Sequence, residues 1–130
     1  MSVLIDTHSC VEYLLGTPQG ALAKKYIEEP NDEHSADDIA ISAVTVAELT
    51  KWALRTGERR AERAVESLIR KVTIIPVDEE IAREAGRMAA SRDCGLGDAL
   101  IYATAQAQGA KLLTGDQHFK GAKDTIYIGT

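Results

Sequence analysis

The sequence predicts an α/β protein in which a parallel sheet carries helices on both faces. Short apolar segments, the candidate strands, alternate along the chain with amphipathic segments, the candidate helices. This alternation is typical of parallel sheets, whose crossover connections are right-handed. The chain has 130 residues, of which 45% are hydrophobic, and shows no repeat or linker. We therefore expect a single domain spanning residues 1–130.

Five short apolar runs are the candidate strands. They contain leucine and β-branched residues, and most of them are followed by an acidic residue, a glycine or a proline. The predicted strands are residues 3–5, 39–41, 72–77, 111–114 and 125–128.

Apolar residues at helical spacing predict six helices between these strands. The predicted helices are residues 9–15, 19–29, 45–55, 58–71, a segment after Asp78 that includes 81–89, and 99–108. We expect Thr7 or Ser9 to cap the first helix and Asp78 to cap the fifth. Gly95 and Gly97 are expected to interrupt the chain before the last helix. The acidic segment 31–38 is expected to be an exposed loop, a simpler interpretation than an acidic lid.

The formal net charge of −5 limits how the protein can bind a partner. A protein that binds nucleic acid through bulk charge is basic, but a nuclease with metal-binding acids need not be. No apolar run approaches the roughly 20 residues that span a bilayer, and the N-terminus does not resemble a signal peptide. We therefore expect a cytoplasmic protein. In that compartment Cys10 and Cys94 are expected to be idle thiols, although the sequence does not exclude a disulfide.

Four carboxylates are expected near the carboxyl end of the predicted sheet, where open α/β sheets bind ligands. Asp6 directly follows the first strand, and Asp116 comes two residues after the fourth. Glu48 lies one turn into a helix, and one turn is about 5.4 Å, so its side chain reaches the same edge. Asp98, expected to open the last helix, lies at this edge only if the preceding helix ends there.

Each of these acids also has a purely structural explanation. Asp6 can end a strand and cap a helix, and Asp98 suits a helix N-terminus. Asp116 suits a turn, and Glu48 can be a solvated helix residue. Acids that converge, however, repel one another unless cations neutralise them. Mg²⁺ and Mn²⁺ prefer carboxylate oxygens, and two such ions about 3.5–4 Å apart can hydrolyse a phosphodiester with an activated water.

Four segments that contain these acids resemble the successive motifs of PIN domains. They are residues 3–7 (VLIDT), 42–49 (SAVTVAEL), 97–101 (GDALI) and 112–119 (LLTGDQHF). The chain most resembles the VapC-type toxins of prokaryotic toxin–antitoxin pairs. Any one motif is weak, but four in the right order and with fitting spacing are fairly specific, and they cover nearly the whole chain.

The resemblance implies a three-layer α/β/α sandwich with a parallel five-stranded sheet. It also implies a ribonuclease that cleaves RNA through a metal-activated water, forms a homodimer and binds an antitoxin that blocks the site. Thr114 would orient Asp116. By the same resemblance, one or two Mg²⁺ or Mn²⁺ ions would be held by Asp6, Glu48, Asp98 and Asp116.

Two histidines depart from the family pattern. His8 stands where a small polar residue is common, and capping the first helix is favoured over a contact with substrate or with a metal ligand. His118 stands where relatives often carry an acid. It can contact phosphate or assist a metal ligand, and an ordinary surface histidine is an equally good interpretation.

The remaining features leave alternatives open. The basic segment 55–63 can bind RNA phosphates, but its arginines alternate with glutamates, which favours a solvated helix face. Trp52 suits either a partner contact or a core position. The chain lacks the second acid of haloacid-dehalogenase phosphatases, the acid pair of receiver domains, and Walker and GxSxG motifs. A non-catalytic PIN-like module is the alternative function, and the presence of all four acids favours the enzyme.

Overall fold

A five-stranded parallel sheet forms the centre of the computed structural model, which describes residues 2–29 and 38–129. The strands are β1 (Val3–Ile5), β2 (Ile39–Ser42), β3 (Thr73–Ile75), β4 (Lys111–Thr114) and β5 (Thr125–Tyr127). Their order across the sheet is β3-β2-β1-β4-β5, and every pairing is parallel. Strands β2 and β3 are therefore added on one side of β1, and β4 and β5 are added on its other side.

All six predicted helices are present in the described residues. They are α1 (Thr7–Leu15), α2 (Ala21–Glu28), α3 (Ala43–Thr56), α4 (Arg59–Lys71), α5 (Glu79–Ser91) and α6 (Leu96–Ala107). A 3₁₀ turn, Pro18–Gly20, precedes α2, and another, Gln117–Phe119, follows β4. The 3₁₀ turn before α2 accounts for the late start of that helix relative to the predicted residue 19.

Two apolar clusters cover the two faces of the sheet, which confirms the three-layer arrangement. On one face Val3, Ile5 and Leu113 pack with buried residues of α1, α2, α3 and α4. On the other face Leu4 and Leu112 pack with buried residues of α5 and α6. The alternation along β1 and β4 follows from strand geometry, in which successive side chains point to opposite faces. The sheet is buried on both sides, as an all-parallel sheet requires.

The first helix is capped by Asp6, so the expected caps Thr7, Ser9 and His8 were wrong. The Asp6 carboxylate accepts a hydrogen bond from the backbone N–H of Ser9 at 2.8 Å. Only Asp6 separates β1 from α1, so the residue that ends the strand also begins the helix. The expected Asp78 cap of α5 is confirmed, because its carboxylate accepts from the Ile81 N–H at 2.9 Å.

Three other boundaries differ from the sequence prediction. Helix α3 begins at Ala43 because Ser42 caps it, accepting from the Val44 N–H at 3.0 Å. Helix α6 begins at Leu96, so Gly97 and Asp98 lie inside its first turn. Glycine is tolerated there because the first N–H groups of a helix have no intrahelical partner in any case. Strand β3 ends before Pro76, which cannot donate to the ladder.

Several remaining sequence interpretations can be compared with the structure. Trp52 is partly buried against the core cluster that contains Val3, which agrees with a core position. The basic segment 55–63 is exposed apart from Ala61, as a solvated helix face requires. Apart from Asp38, the predicted acidic loop at 31–38 lies outside the described residues. Within the described ranges, no helix combines the length and apolar character needed to cross a bilayer.

Two glycines are expected to respond in opposite ways to replacement by alanine. A Cβ at Gly20 would lie 2.6 Å from the backbone nitrogen of Tyr13 and closer still to the Glu12 carbonyl oxygen, so Gly20→Ala should cost about 1–3 kcal/mol. At Gly86, inside α5, a Cβ meets nothing within 4 Å, so Gly86→Ala should stabilise by about 0.5–1 kcal/mol. Urea unfolding measures both changes. No loss of stability in Gly20→Ala would contradict the close packing at Gly20, and a loss in Gly86→Ala would contradict the open space at Gly86.

The two free thiols should differ sharply in reactivity. Cys10 is fully buried, and burial followed by the nearby Asp6 carboxylate raises the pKa of its thiol. Cys94 is only partly buried. Because the thiolate is the reactive form, we expect a disulfide reagent to modify Cys94 in the folded protein and Cys10 only after unfolding. The assignment is wrong if the folded Cys10→Ser variant no longer reacts with the reagent, or if the folded Cys94→Ser variant still does.

Candidate metal centre

An open cleft lies at the carboxyl edge of the sheet, beside β1. In parallel sheets ligands bind where the strand order reverses, and here β1 is followed in sequence by its neighbour β2 and much later by its other neighbour β4. The cleft has a volume of about 470 Å³. It is lined by Asp6, His8, Asp98, Gly115, Asp116, Gln117 and His118.

Asp6 lies at the base of this cleft and is 6% exposed. One carboxylate oxygen accepts the capping bond from Ser9, and the other accepts from the Thr114 hydroxyl at 2.5 Å. The Thr114 hydroxyl in turn accepts from the Asp116 backbone N–H at 3.0 Å. Thr114 thus connects the acids that follow β1 and β4, and it holds Asp116 through the backbone.

Asp116 caps the 3₁₀ turn Gln117–Phe119 and is partly buried. Its Oδ1 accepts from the His118 backbone N–H at 2.9 Å and lies 2.8 Å from the ring Nδ1 of the same histidine. Burial alone would raise the pKa of Asp116. The hydrogen bonds from His118, together with one shared with Asp98, outweigh burial and lower that pKa below its ordinary value.

Asp98, in the first turn of α6, lies across the cleft from Asp116, close enough to hydrogen-bond with it when one of the two is protonated. Partial burial, then this hydrogen bond, then repulsion from Asp116, Asp6 and Glu48 raise the pKa of Asp98 to about 6. Two carboxylates can share a hydrogen bond only when one of them holds a proton, and the favoured holder is Asp98. The cleft therefore carries more negative charge than it can accommodate without a proton or a cation.

Glu48, an exposed residue of α3, is not among the residues that line the cleft, but its charge acts on Asp98 and its side chain is held by Thr7. Its Oε1 accepts from the Thr7 hydroxyl at 2.5 Å, and a Cβ on Gly97 would lie 3.4 Å from its Oε2. The Thr7 and Thr45 hydroxyl oxygens are 3.1 Å apart. Thr7 was expected only as a helix cap, so its contact with Glu48 was not predicted. The one local sequence signal for this contact is a hydroxyl residue directly after the acid that ends a strand.

The two histidines at the cleft have different surroundings. The His8 ring packs against Gly115, where an added Cβ would lie 3.2 Å from His8 Cδ2, and its Nε2 is 3.7 Å from the Glu12 carboxylate. His8 therefore faces the cleft and does not cap α1. The exposed His118 contacts Asp116 directly through its backbone N–H and its ring.

The donors around the cleft fit a hard divalent cation. They are carboxylate oxygens, and the Asp98–Asp116 pair shows the charge excess that a cation would neutralise. As placed, no three histidine, cysteine or acidic side chains in the described ranges lie close enough together to hold one metal ion jointly. An open arrangement suits Mg²⁺, which keeps several of its waters and takes only one or two carboxylates from the protein.

The charge excess predicts a pH effect on stability without divalent cations. Folding raises the pKa of Asp98 from 3.8 to about 6, so its ionisation lowers the free energy of unfolding as pH rises through that window. Because Asp98 is exposed on one side, we expect a cost of only about 1 kcal/mol at pH 8. Urea unfolding should therefore show Asp98→Asn to be more stable than the original protein by that amount at pH 8 and equally stable at pH 4. If the variant is no more stable at pH 8, the predicted cost of ionising Asp98 is wrong.

Fold and site together define a class: a parallel α/β protein with an acidic cleft at its topological switch point. The chain belongs to the PIN domain family, whose profile matches residues 3–124. This confirms the resemblance found in the motifs. It is also 33% identical over 117 residues to Ribonuclease VapC10 of Mycobacterium tuberculosis, an alignment that covers 86% of this chain and 80% of that protein.

Solved structures of similar fold agree with this assignment. A toxin–antitoxin complex from Klebsiella pneumoniae matches with a TM-score of 0.77 and 24% identity, covering 98% of both chains. VapC20 of Mycobacterium tuberculosis, described as a toxin that cleaves the sarcin-ricin loop, matches with a TM-score of 0.70 and 19% identity, covering 95% of this chain and 96% of that one. At these identities the likeness shows the fold, and the predicted α/β/α sandwich is confirmed.

Proposed function

We propose that this protein is a divalent-metal-dependent endoribonuclease and the toxin of a toxin–antitoxin pair. The observation that carries the proposal is the excess of carboxylates at the switch point, where Asp6, Asp98 and Asp116 line one cleft and the neighbouring negative charges raise the pKa of Asp98. Membership of the PIN family and 33% identity to a ribonuclease support the same conclusion. The retained acids favour the enzyme over a non-catalytic module.

In the proposed mechanism, Mg²⁺ or Mn²⁺ would be held by carboxylates drawn from Asp6, Glu48, Asp98 and Asp116. The bound cation would activate a water and stabilise the leaving oxygen of the phosphodiester. The protein's part is to hold the donors in place before substrate arrives. Because the pKa of Asp98 is raised to about 6, the site would carry its full negative charge only above that pH.

Each of the other three acids has its own hydrogen-bond donor for this purpose. Thr114 donates to Asp6, Thr7 donates to Glu48, and His118 donates to Asp116. Ligand side chains fixed in this way lose little freedom on binding, which strengthens a metal site. For Asp98, the interaction that the structure shows is the one with Asp116 across the cleft.

The proposal extends to partners, organisation and location. We propose RNA as substrate, an antitoxin protein as inhibitor, a homodimer as the working form and the cytoplasm as the compartment. The matched Klebsiella pneumoniae structure is a toxin–antitoxin complex, which supports the antitoxin. Residues 1–130 would form one PIN domain, in keeping with two apolar clusters on opposite faces of one sheet.

Cleavage of a labelled RNA mixture by the purified protein tests the activity. We expect cutting with Mg²⁺ or Mn²⁺, none with excess EDTA, and recovery when the metal is restored. Calorimetric titration with Mn²⁺ gives a second measurement that does not depend on finding the right RNA. Absence of both Mn²⁺ binding and cleavage, or cleavage that survives EDTA, would overturn the proposal.

A further inference from the structure

His118 directs both of its nearest donor groups to a single oxygen of Asp116. Its backbone N–H donates to Oδ1 at 2.9 Å, and its ring Nδ1 lies 2.8 Å from the same atom. A carboxylate oxygen only accepts, so Nδ1 must carry the proton of this contact. Two donors use both lone pairs of Oδ1. Oδ2 is therefore the oxygen of Asp116 with greater capacity left for a ligand in the cleft.

Packing does not explain an imidazole at this position. The His118 side chain is 54% exposed, whereas Phe119, the next residue, is buried. The 3₁₀ turn is closed by the Phe119 N–H, which donates to the Asp116 carbonyl at 3.1 Å and does not involve the histidine ring. The ring contact with Asp116 is thus a feature of the cleft and is not required by the turn.

We propose that His118 is a positioning residue, whose Nδ1–H holds Asp116 Oδ1 so that Oδ2 is presented to the divalent cation. This inference rests on the proposed function, since it names how one carboxylate of that site is oriented. It assigns to His118 the part that Thr114 has for Asp6 and Thr7 has for Glu48. The role depends on one ring nitrogen and not on the histidine as a whole.

Three substitutions, His118→Ala, His118→Gln and His118→Asn, distinguish the contributions of the two ring nitrogens. The amide nitrogen of asparagine can reach the position of Nδ1, whereas that of glutamine, one methylene farther out, reaches the position of Nε2. Calorimetric titration with Mn²⁺ should show affinity lowered about 10- to 100-fold in His118→Ala and His118→Gln, the usual effect of losing a partner of a metal ligand. His118→Asn should retain most of the affinity.

Cleavage kinetics supply a readout that a merely structural role would not move. We expect the RNA cleavage rates of His118→Ala and His118→Gln to fall at limiting Mn²⁺ and to recover largely at saturating Mn²⁺. Thermal unfolding in EDTA should match that of the original protein, because the ring is exposed. A rate that stays equally low at every Mn²⁺ concentration would overturn a role in metal binding.

The outcomes distinguish this inference from the proposed function. If the original protein binds Mn²⁺ and cuts RNA while all three variants match it, only the role of His118 is overturned. If all three variants are equally weak, the Nδ1 assignment is overturned. If the original protein neither binds Mn²⁺ nor cuts RNA, the proposed function fails and the inference fails with it.

Discussion

Replacing Asp98 with asparagine is expected to lower RNA cleavage by about 10³-fold, which corresponds to about 4 kcal/mol of transition-state stabilisation. The amide has nearly the same shape as the carboxylate but carries no charge. It would remove one proposed metal ligand and leave Asp116 beside a neutral donor. The measurement is the initial rate on labelled RNA at saturating Mn²⁺, with Mn²⁺ affinity measured in parallel.

Asp124→Asn is the matched control for this substitution. Asp124 is an exposed acid outside the cleft, and its backbone has a positive φ of 56°, a conformation that asparagine adopts readily. We expect the control to cleave at the original rate. Because Asp98→Asn should also be at least as stable as the original protein without metal, loss of activity cannot be attributed to unfolding. An active Asp98→Asn would contradict the four-carboxylate site.

Truncating Phe119 to alanine is expected to give the largest loss of stability, about 3–5 kcal/mol. The Phe119 side chain is 2% exposed and stacks on Tyr102, with ring centroids 4.9 Å apart and ring planes 5° from parallel. The Tyr102 hydroxyl donates to the Lys123 carbonyl at 2.9 Å, which fixes the ring that Phe119 covers. The midpoint temperature of thermal unfolding should therefore fall by at least about 10 °C.

Phe119→Leu is the control for the size of the cavity. It keeps an apolar side chain, so it should lower the free energy of unfolding clearly less than alanine does, since less volume is lost. Because Phe119 ends the turn that Asp116 begins, we also expect Phe119→Ala to reduce Mn²⁺ affinity at temperatures where the protein is still folded. A loss of less than about 1 kcal/mol in Phe119→Ala would contradict the packing described here.

Most of the fold followed from local patterns. The runs around Val3, Ile39 and Leu112 are short, apolar and followed by polar residues, so they were recognised as strands without knowledge of their neighbours. Errors fell at boundaries where a single residue has two functions. Thr7 or Ser9 was expected to cap α1, whereas Asp6, which was recognised as able to do both, ends β1 and caps α1; Gly97 lies in the first turn of α6 although glycine usually ends helices. Propensity scores each residue for one local state and cannot weigh such overlaps.

The candidate site was less accessible to sequence analysis. Four acids could be singled out because each lies near an expected strand end or helix start. Their hydrogen-bond donors could not, because Thr7 contacts Glu48 across 41 positions of sequence and Thr114 contacts Asp6 across 108. The chain pattern near Thr7 is equally compatible with a helix cap. Only the pairing of β1 with β4 and the packing of α3 beside α1 bring these groups together.

By itself, the sequence determined the alternation of strands and helices, the parallel sheet and the presence of acids near its carboxyl edge. These properties depend on apolar periodicity and on residues that stop strands, both of which are local. The tertiary structure alone decided the strand order around β1, the approach of Asp98 to Asp116, and the position of the His118 ring. Those features arise from contacts through space, whose energies depend on distance and burial and not on separation along the chain.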